Sequence, residues 1–97
     1  MNQKSDVKVT VVSIAKPCGS GMQVGDTFYC ERKDGLGLRL RQMDGWCPEL
    51  VLAAQTALSA MAFGGTLPWE DEQGRALSAC PDPECRVVIA VERVKES

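Results

Sequence analysis

The residues of this chain with the most distinctive chemistry are five cysteines, in a sequence of 97 residues that contains no histidine. A cysteine thiolate can act as a nucleophile, exchange with a disulfide or bind a soft metal ion. Because histidine is missing, the usual general base of Ser–His and Cys–His catalytic pairs is missing too. We therefore favour a binding protein over an enzyme. The cysteines are Cys18, Cys30, Cys47, Cys80 and Cys85.

The number and spacing of the cysteines limit what they can form. Five is an odd number, so they cannot all pair within one chain. No two are separated by two residues, so the common spacing of zinc fingers is absent. Because histidine is absent, a metal site built by this chain must use cysteines, carboxylates or a methionine thioether such as that of Met22, Met43 or Met61.

Cys47 is the strongest single candidate because it directly precedes Pro48, a residue type favoured at the first position of a helix. This order predicts that Cys47 is the N-cap, where the helix dipole lowers the pKa of a thiol and increases the thiolate fraction. Glu49, in the same first turn, opposes that effect. The alternative is that Cys47 is a small hydrophobic residue packed under Trp46.

Cys80 and Cys85 flank a four-residue turn, Pro81-Asp82-Pro83-Glu84. Residues that flank a hairpin turn face each other, so these two thiols suit two ligands of one metal ion or a redox disulfide. The alternative is a pair of small residues beside a proline-rich turn.

The two remaining cysteines lie in different settings. Cys18 opens a glycine-rich loop that extends to Met22, and such loops can wrap a soft metal ion but more often only turn the chain. The glycine spacing matches neither a dinucleotide fingerprint nor a Walker loop, so phosphate binding is not expected. Cys30 follows Tyr29 in a predicted strand, where core packing is the better interpretation.

Alternating apolar residues and turn signals predict an α+β fold for the segments that carry these cysteines. Val7, Val9 and Val11 recur at period two, which is typical of a strand with one buried face. The apolar stretch between Pro48 and Gly64 predicts a mostly buried helix. Strands are predicted over about 7–15, 27–32, 36–41, 75–80 and 86–94, and a helix over 48–63. The order is β-β-β-α-β-β, a mainly antiparallel sheet of about five strands with one central buried helix.

The length, charge and hydropathy of the chain favour a single-domain protein and argue against a nucleic-acid-binding or membrane-spanning protein. The 97 residues fit a single domain, with an ordered core over about 7–94. The formal net charge of −2 provides no basic field that would attract nucleic acid. The longest apolar runs, 50–54 and 87–91, are far shorter than the roughly 20 residues of a membrane helix. The first residues form no apolar signal core, so we expect a cytoplasmic protein.

The two tryptophans are candidates for contact with a ligand or with another chain. Trp46 precedes the predicted helix, and Trp69 follows Gly64–Pro68, a stretch typical of a rigid corner. Trp69 is expected to cover the core or to form an oligomer contact, with stacking on a ligand as the lesser alternative. Together with the apolar helix, the tryptophans could supply the interface of a homodimer or of a contact with a partner protein.

Short motifs also occur along the chain in a fixed order: Cys18, Val24–Phe28 (VGDTF), Cys47, Ala60–Trp69 (AMAFGGTLPW) and Cys80–Pro83 (CPDP). This ordered set resembles a family of small uncharacterised prokaryotic proteins, often found in anaerobes, over about residues 7–94. The resemblance implies a compact single domain and a cysteine at each of Cys18, Cys47 and Cys80. Many members carry a histidine where this chain has Met22. A metal set here would therefore comprise three thiolates, with Met22 or Cys85 as a further sulfur ligand.

The leading hypothesis is a small accessory or binding protein that uses Cys18, Cys47 and Cys80 as a soft-metal or redox site. Three thiolates suit a soft metal ion such as zinc, provided that the sulfurs converge to within about 3.5–4 Å of one another. The first alternative is a structural or protein-interaction module, a homodimer without chemistry of its own. The second is a thiol-dependent enzyme whose nucleophile, Cys47, is activated by the helix dipole alone.

Overall fold

The structure is a computed structural model that describes residues 6–17, 19, 21–33, 37–81 and 83–94. Within these residues the chain forms one helix and five strands. They are β1 (Val7–Ile14), β2 (Thr27–Lys33), β3 (Gly37–Arg41), α1 (Pro48–Ala62), β4 (Ala76–Ala79) and β5 (Val87–Arg93). The α+β class and the element order are confirmed, and each end agrees with its prediction to within one residue.

The five described strands form one antiparallel sheet in the order β3-β2-β1-β5-β4. The central strands β1 and β5 pair from one end, Val7 with Arg93, to the other, Ile14 with Val87. Their register shifts between Val11 and Ser13, as at a β-bulge. The extra residue changes the alternation of β1, so that Ile14 packs against the core. Strands β3 and β4 form the two edges of the sheet.

Helix α1 packs against one face of this sheet, which we call the helix side, and the opposite face is called the outer face. On the helix side the alternate residues of the central strands are almost completely buried, as the period-two pattern predicts. They are Val7, Val9 and Val11 of β1 and Val87, Ile89 and Val91 of β5. From the helix, Leu50, Ala54, Ala57, Leu58, Met61 and Ala62 complete the core. No helix in the described part of the chain combines the length and the apolar character needed to cross a membrane.

The end of α1 is fixed by a Schellman motif, which explains why the helix stops before the glycine pair. Gly64 has a φ of +89° and lies in the left-handed region that glycine tolerates best. The Gly64 N–H donates to the carbonyl of Met61 at 3.1 Å, and the Gly65 N–H donates to the carbonyl of Ala60 at 2.7 Å. These two bonds satisfy carbonyls that the helix itself leaves unpaired.

Candidate functional site

Cys47 occupies the N-cap of α1, as predicted. Its backbone is extended, with φ −64° and ψ 126°, and Pro48 follows in the first helical turn. The Cys47 carbonyl accepts hydrogen bonds from the N–H groups of Leu50 at 3.1 Å and Val51 at 3.2 Å. Its thiol caps none of the N–H groups at this described helix start, and the half-buried side chain packs against the core. The N-cap position is therefore confirmed, whereas the reactivity of the thiol stays a prediction.

Cys80 and Cys85 lie at the two ends of the turn between β4 and β5. The Cys80 N–H donates to the Val87 carbonyl at 2.9 Å, which extends the pairing of the two strands by one residue. Both side chains are half-buried and pack against the core on the helix side. Cys80 is a free thiol, so it is not joined to Cys85.

Cys85 connects this turn to the loop that follows β1. Its carbonyl accepts hydrogen bonds from the N–H groups of Ala15 at 2.9 Å and Lys16 at 3.3 Å. Its Sγ lies 3.9 Å from the carbonyl oxygen of Pro17, to which it donates a weak hydrogen bond. Pro17 directly precedes Cys18 in the sequence.

Cys18 itself lies outside the described residues, so the convergence of Cys18, Cys47 and Cys80 stays a prediction. Among the residues that are described, no three cysteine, aspartate or glutamate side chains come together in a group that could hold a metal ion. Cys47, Cys80 and Cys85 therefore do not form such a group by themselves. A metal site on this chain would require Cys18 or a further donor such as Met22.

Met22 is 5% exposed and belongs to the hydrophobic core. It also lines a cavity of about 460 Å³ at the end of the sheet where the loop after β1 lies. The other lining residues are Ile14, Pro17, Gly21, Gln23 and Val24. The packing of Met22 in the core accounts for the burial of its thioether without a metal ion.

Cys30 is completely buried in β2, which confirms core packing as its role. Burial raises the pKa of the Cys30 thiol, and the negative charge of Asp6 raises it further. Both effects keep this thiol protonated and make it a poor nucleophile.

The two tryptophans occupy different environments. Trp46 is half-buried and packs edge-on against Phe28, with ring centroids 4.7 Å apart and an interplanar angle of 79°. This geometry is typical of a stabilising aromatic pair in a core. Trp69 is 52% exposed and follows the helix in a turn that the Glu70 N–H closes on the Leu67 carbonyl at 3.2 Å. Trp69 therefore presents about half of its surface to solvent, and its contact with the core, with a ligand or with another chain stays a prediction.

An ion pair between Arg93 and Glu70, which the sequence reasoning missed, fixes the corner that carries Trp69. The Arg93 and Glu70 side chains are only 17% and 13% exposed. Arg93 also donates to the Gly65 carbonyl at 2.9 Å, and Glu70 accepts from the Leu67 N–H at 2.7 Å. The hydrogen bond from Arg93 is the main cause that lowers the pKa of Glu70 below its ordinary value.

The signal for this ion pair was present in the alternation of β5. Arg93 follows Ile89 and Val91 at period two, so its side chain starts on the helix side and needs an anionic partner there. Glu70 lies 23 residues before Arg93 in the sequence, so no local pattern shows the pairing. One atom, the Arg93 Nε, is buried without a hydrogen-bond partner among the described residues.

The outer face of the sheet is divided into two halves. The first, which we call the apolar half, lies over β5 and β4. Its members are Leu77, Ala79, Val88 and Ala90, of which Ala90 is only 1% exposed. On β1 it is bordered by the polar residues Thr10 and Ser13, which pair with Ala90 and Val88. The second, the charged half, lies mainly over β1, β2 and β3. Its members are Lys8, Tyr29, Glu31, Arg39, Arg41 and Glu92.

Most charges of the charged half are matched within the face. The Arg41 Nε donates to a Glu31 carboxylate oxygen at 2.7 Å, and the Arg41 guanidinium lies 4.5 Å from the centre of the Tyr29 ring. The Lys8 Nζ lies 3.5 Å from a Glu92 oxygen. These contacts are solvated surface interactions of modest energy. The apolar half carries no charged side chain, so apolar burial is the main contribution that it offers to binding.

Comparison of the chain with protein-family models, with curated proteins and with solved structures finds no match. The resemblance to a small prokaryotic family therefore stays a prediction. Two regions of the described structure are candidates for a functional site. One is the apolar half of the outer face, with the exposed Leu77, and the other is the end of the sheet that carries Cys80 and Cys85.

Proposed function

We propose that this protein is a protein-interaction module whose contact surface is the apolar half of the outer face. The observation that carries the proposal is the position of Leu77, which is 46% exposed on a face that α1 does not cover. A sheet of this kind usually alternates apolar residues on its packed face with polar residues on its solvated face. Here the alternation holds for the charged half and fails for the apolar half.

The apolar half is suited to protein contact for two reasons. It belongs to a hydrogen-bonded sheet, so binding requires little ordering of the chain. It carries no charge, and depletion of charge is typical of the centre of protein interfaces. Its neighbour, the charged half, provides a solvated rim that includes the ion pair of Lys8 in β1 and Glu92 in β5.

Two exposed leucines of this chain allow a matched test. A photoreactive amino acid is introduced at Leu77 in one variant and at Leu52, which is 67% exposed on α1, in a second variant. Each full-length variant is irradiated in its native cells, and the adducts are separated by mass. We expect a discrete protein adduct from position 77 and none of comparable yield from position 52.

The control position is informative because both leucines are exposed and differ mainly in the face that they occupy. Equal adduct yields from the two positions would show nonspecific contact of exposed apolar side chains. Absence of any adduct from position 77, with an intact fold by circular dichroism, would contradict the proposal as well.

A second candidate function is a soft-metal or redox site at the end of the sheet that carries Cys80 and Cys85. The contact between the Cys85 thiol and the Pro17 carbonyl favours it, because Cys18 follows Pro17 directly in the sequence. Two or three thiolates there would bind a soft cation such as Zn²⁺. A cytoplasmic location is part of both proposals, because free thiols such as Cys47 and Cys80 persist in a reducing compartment.

Elemental analysis of protein purified without oxygen tests this second candidate. We expect about one soft-metal ion per chain, lost in Cys80→Ser and kept in Cys30→Ala, which removes a thiol that is sealed in the core. A Cys47→Ser variant then shows whether the helix start contributes a ligand. Metal-free protein, or equal metal content in the Cys80 and Cys30 variants, would count against the site.

A further inference from the structure

The two edges of the sheet differ in a way that bears on the identity of a partner. An edge strand exposes unpaired backbone groups, and charged side chains are a common protection against pairing with another chain. Edge strand β3 carries two exposed arginines, Arg39 and Arg41. Edge strand β4, Ala76–Ala79, carries no charge and exposes Leu77. By this criterion β4 is the edge that remains open to a partner strand.

The register of β4 with β5 defines which backbone groups face outward. The Cys80 N–H bonds to the Val87 carbonyl, and the strands pair Ser78 with Ile89 two residues earlier. In an antiparallel ladder, hydrogen-bonded and non-hydrogen-bonded pairs alternate. Ala76 and Ser78 therefore bond to β5, whereas the N–H and C=O groups of Leu77 and Ala79 point away from it, toward the open edge.

We propose that this edge pairs with β4 of a second copy of the chain, antiparallel and about a two-fold axis at Ser78. In this register Leu77 lies opposite Ala79 of the second copy, and each pair exchanges two backbone hydrogen bonds. The two five-stranded sheets become one continuous sheet. The inference rests on the proposed function, because the apolar halves of the two outer faces then join into one surface.

Pairing with a second copy of the chain is more favourable at β4 than at the opposite edge strand, β3. A strand that pairs with itself through a two-fold axis presents the same residues on both sides, so its side chains must tolerate their own copies. β4 meets this requirement because it is uncharged. The same arrangement of β3 would bring Arg39 and Arg41 close to their own copies, and like charges on neighbouring strands are destabilising.

The length of the edge sets the expected strength of the contact. β4 has four residues, so the backbone pairing alone buries little area and the dimer should be weak and dependent on concentration. Burial of Leu77 against Ala79 of the second copy adds the apolar contribution. The two Leu77 side chains lie diagonally across the axis, within reach of each other.

Sedimentation velocity of the full chain over a range of concentrations gives the first measurement, with a matched pair of variants. Leu77→Lys places two cations near the axis, so we expect the dissociation constant to rise by about tenfold or more. Leu52→Lys makes the same chemical change on α1 and should leave the constant within about twofold of the unaltered protein.

Cysteine cross-linking tests the register itself. In the proposed dimer Ser78 faces its own copy as a non-hydrogen-bonded pair, with Cα atoms about 4.5 Å apart, which a disulfide can span. Ala79 is offset from its own copy by two residues, beyond the roughly 7 Å limit for a disulfide. Under mild oxidation with a glutathione couple, Ser78→Cys should form a covalent dimer and Ala79→Cys should not. Peptide mapping distinguishes the bond at position 78 from bonds of the five native cysteines.

The outcomes separate this inference from the proposed function. A dimer that is insensitive to Leu77→Lys, or that cross-links equally at positions 78 and 79, overturns the pairing of β4. A chain that stays monomeric at every concentration and forms no bond at position 78 overturns it too. In either case an adduct of a different protein at Leu77 leaves the interaction module standing.

Discussion

Arg93 and Glu70 form a two-pronged ion pair across the end of α1, with Nη1–Oε1 and Nη2–Oε2 distances of 2.8 and 2.9 Å. This pair joins the last residue of β5 to the loop that follows the helix. Because Arg93 also binds the Gly65 carbonyl, it fixes the corner on which Trp69 is exposed. The corner is therefore held by a largely buried charge pair in addition to the helix cap.

Replacement of Glu70 by glutamine should destabilise the fold. The Arg93 guanidinium would remain largely buried without its counter-charge, and we expect a loss of roughly 2 kcal/mol in the free energy of unfolding. Urea denaturation followed by tryptophan fluorescence measures this loss.

The matched control for this change is Glu31→Gln, which removes the carboxylate of a surface pair with Arg41. The Arg41 side chain is 43% exposed, so the loss there should stay below about 1 kcal/mol. Equal losses for the two variants would show that burial of the Arg93–Glu70 pair does not contribute to its strength.

The Arg93–Glu70 pair should make the free energy of unfolding depend on pH in the acid range. The pKa of Glu70 is lowered in the folded state, chiefly by the hydrogen bond from Arg93. Its contribution is therefore fully present above the pKa of the unfolded chain and is lost as the pH falls through the folded pKa. From about pH 5 downward, the free energy of unfolding should decrease more steeply for the unaltered protein than for Glu70→Gln.

Comparing the pH dependence of the free energy of unfolding in the two proteins separates the effect of Glu70 from that of Asp71. The pKa of Asp71 is also lowered, first by the backbone hydrogen bond from Arg75, so both proteins should retain an acid-dependent slope from Asp71. Parallel curves for the unaltered protein and Glu70→Gln would mean that Glu70 titrates alike in the folded and unfolded states.

The fold was predictable because its elements carry local signals. The alternation of Val7, Val9 and Val11, the order Cys47-Pro48 and the helix stop at Gly64 each depend on residues close in sequence. Periodicity also identifies which face is buried, so the core residues of β1 and α1 follow from it.

The parts of the candidate site that the sequence did not predict depend on long-range contacts. The register shift between Val11 and Ser13 arises from pairing with β5, which lies far along the chain. The approach of Cys85 to Pro17 joins residues 68 positions apart, and no local pattern specifies it. That Leu77 lies on an edge strand could not be predicted without the strand order, which shows that β4 pairs with β5 alone.

A left-handed glycine at the helix end gives a third prediction. Gly64→Ala would place a side chain on a residue with φ +89°, so we expect a loss of about 1 kcal/mol in the free energy of unfolding. Gly19→Ala is the control, since a Cβ at Gly19 meets no described atom within 4 Å. Its stability should be unchanged or slightly higher, because alanine restricts the unfolded chain. A Gly64→Ala protein as stable as the control would show that the cap can rearrange.

The buried thiol of Cys30 gives the last prediction, which concerns the rate of alkylation. Burial raises the pKa of Cys30, so at neutral pH its thiolate is scarce as well as inaccessible. Iodoacetamide should therefore modify Cys30 at least about tenfold more slowly than the half-buried Cys80 and Cys47, which local motion can expose. Pulsed labelling with mass spectrometry measures all three rates in one sample.

Urea provides the control for this prediction. If Cys30 reacts only through global opening, its rate should rise with the unfolded population, whereas the rate at Cys80 should rise less. A Cys47 rate above that of an unstructured thiol would in addition support activation at the N-cap of α1. Labelling of Cys30 as fast as Cys80 in the absence of urea would contradict the prediction, because it would mean that β2 opens locally and that core packing does not protect this thiol.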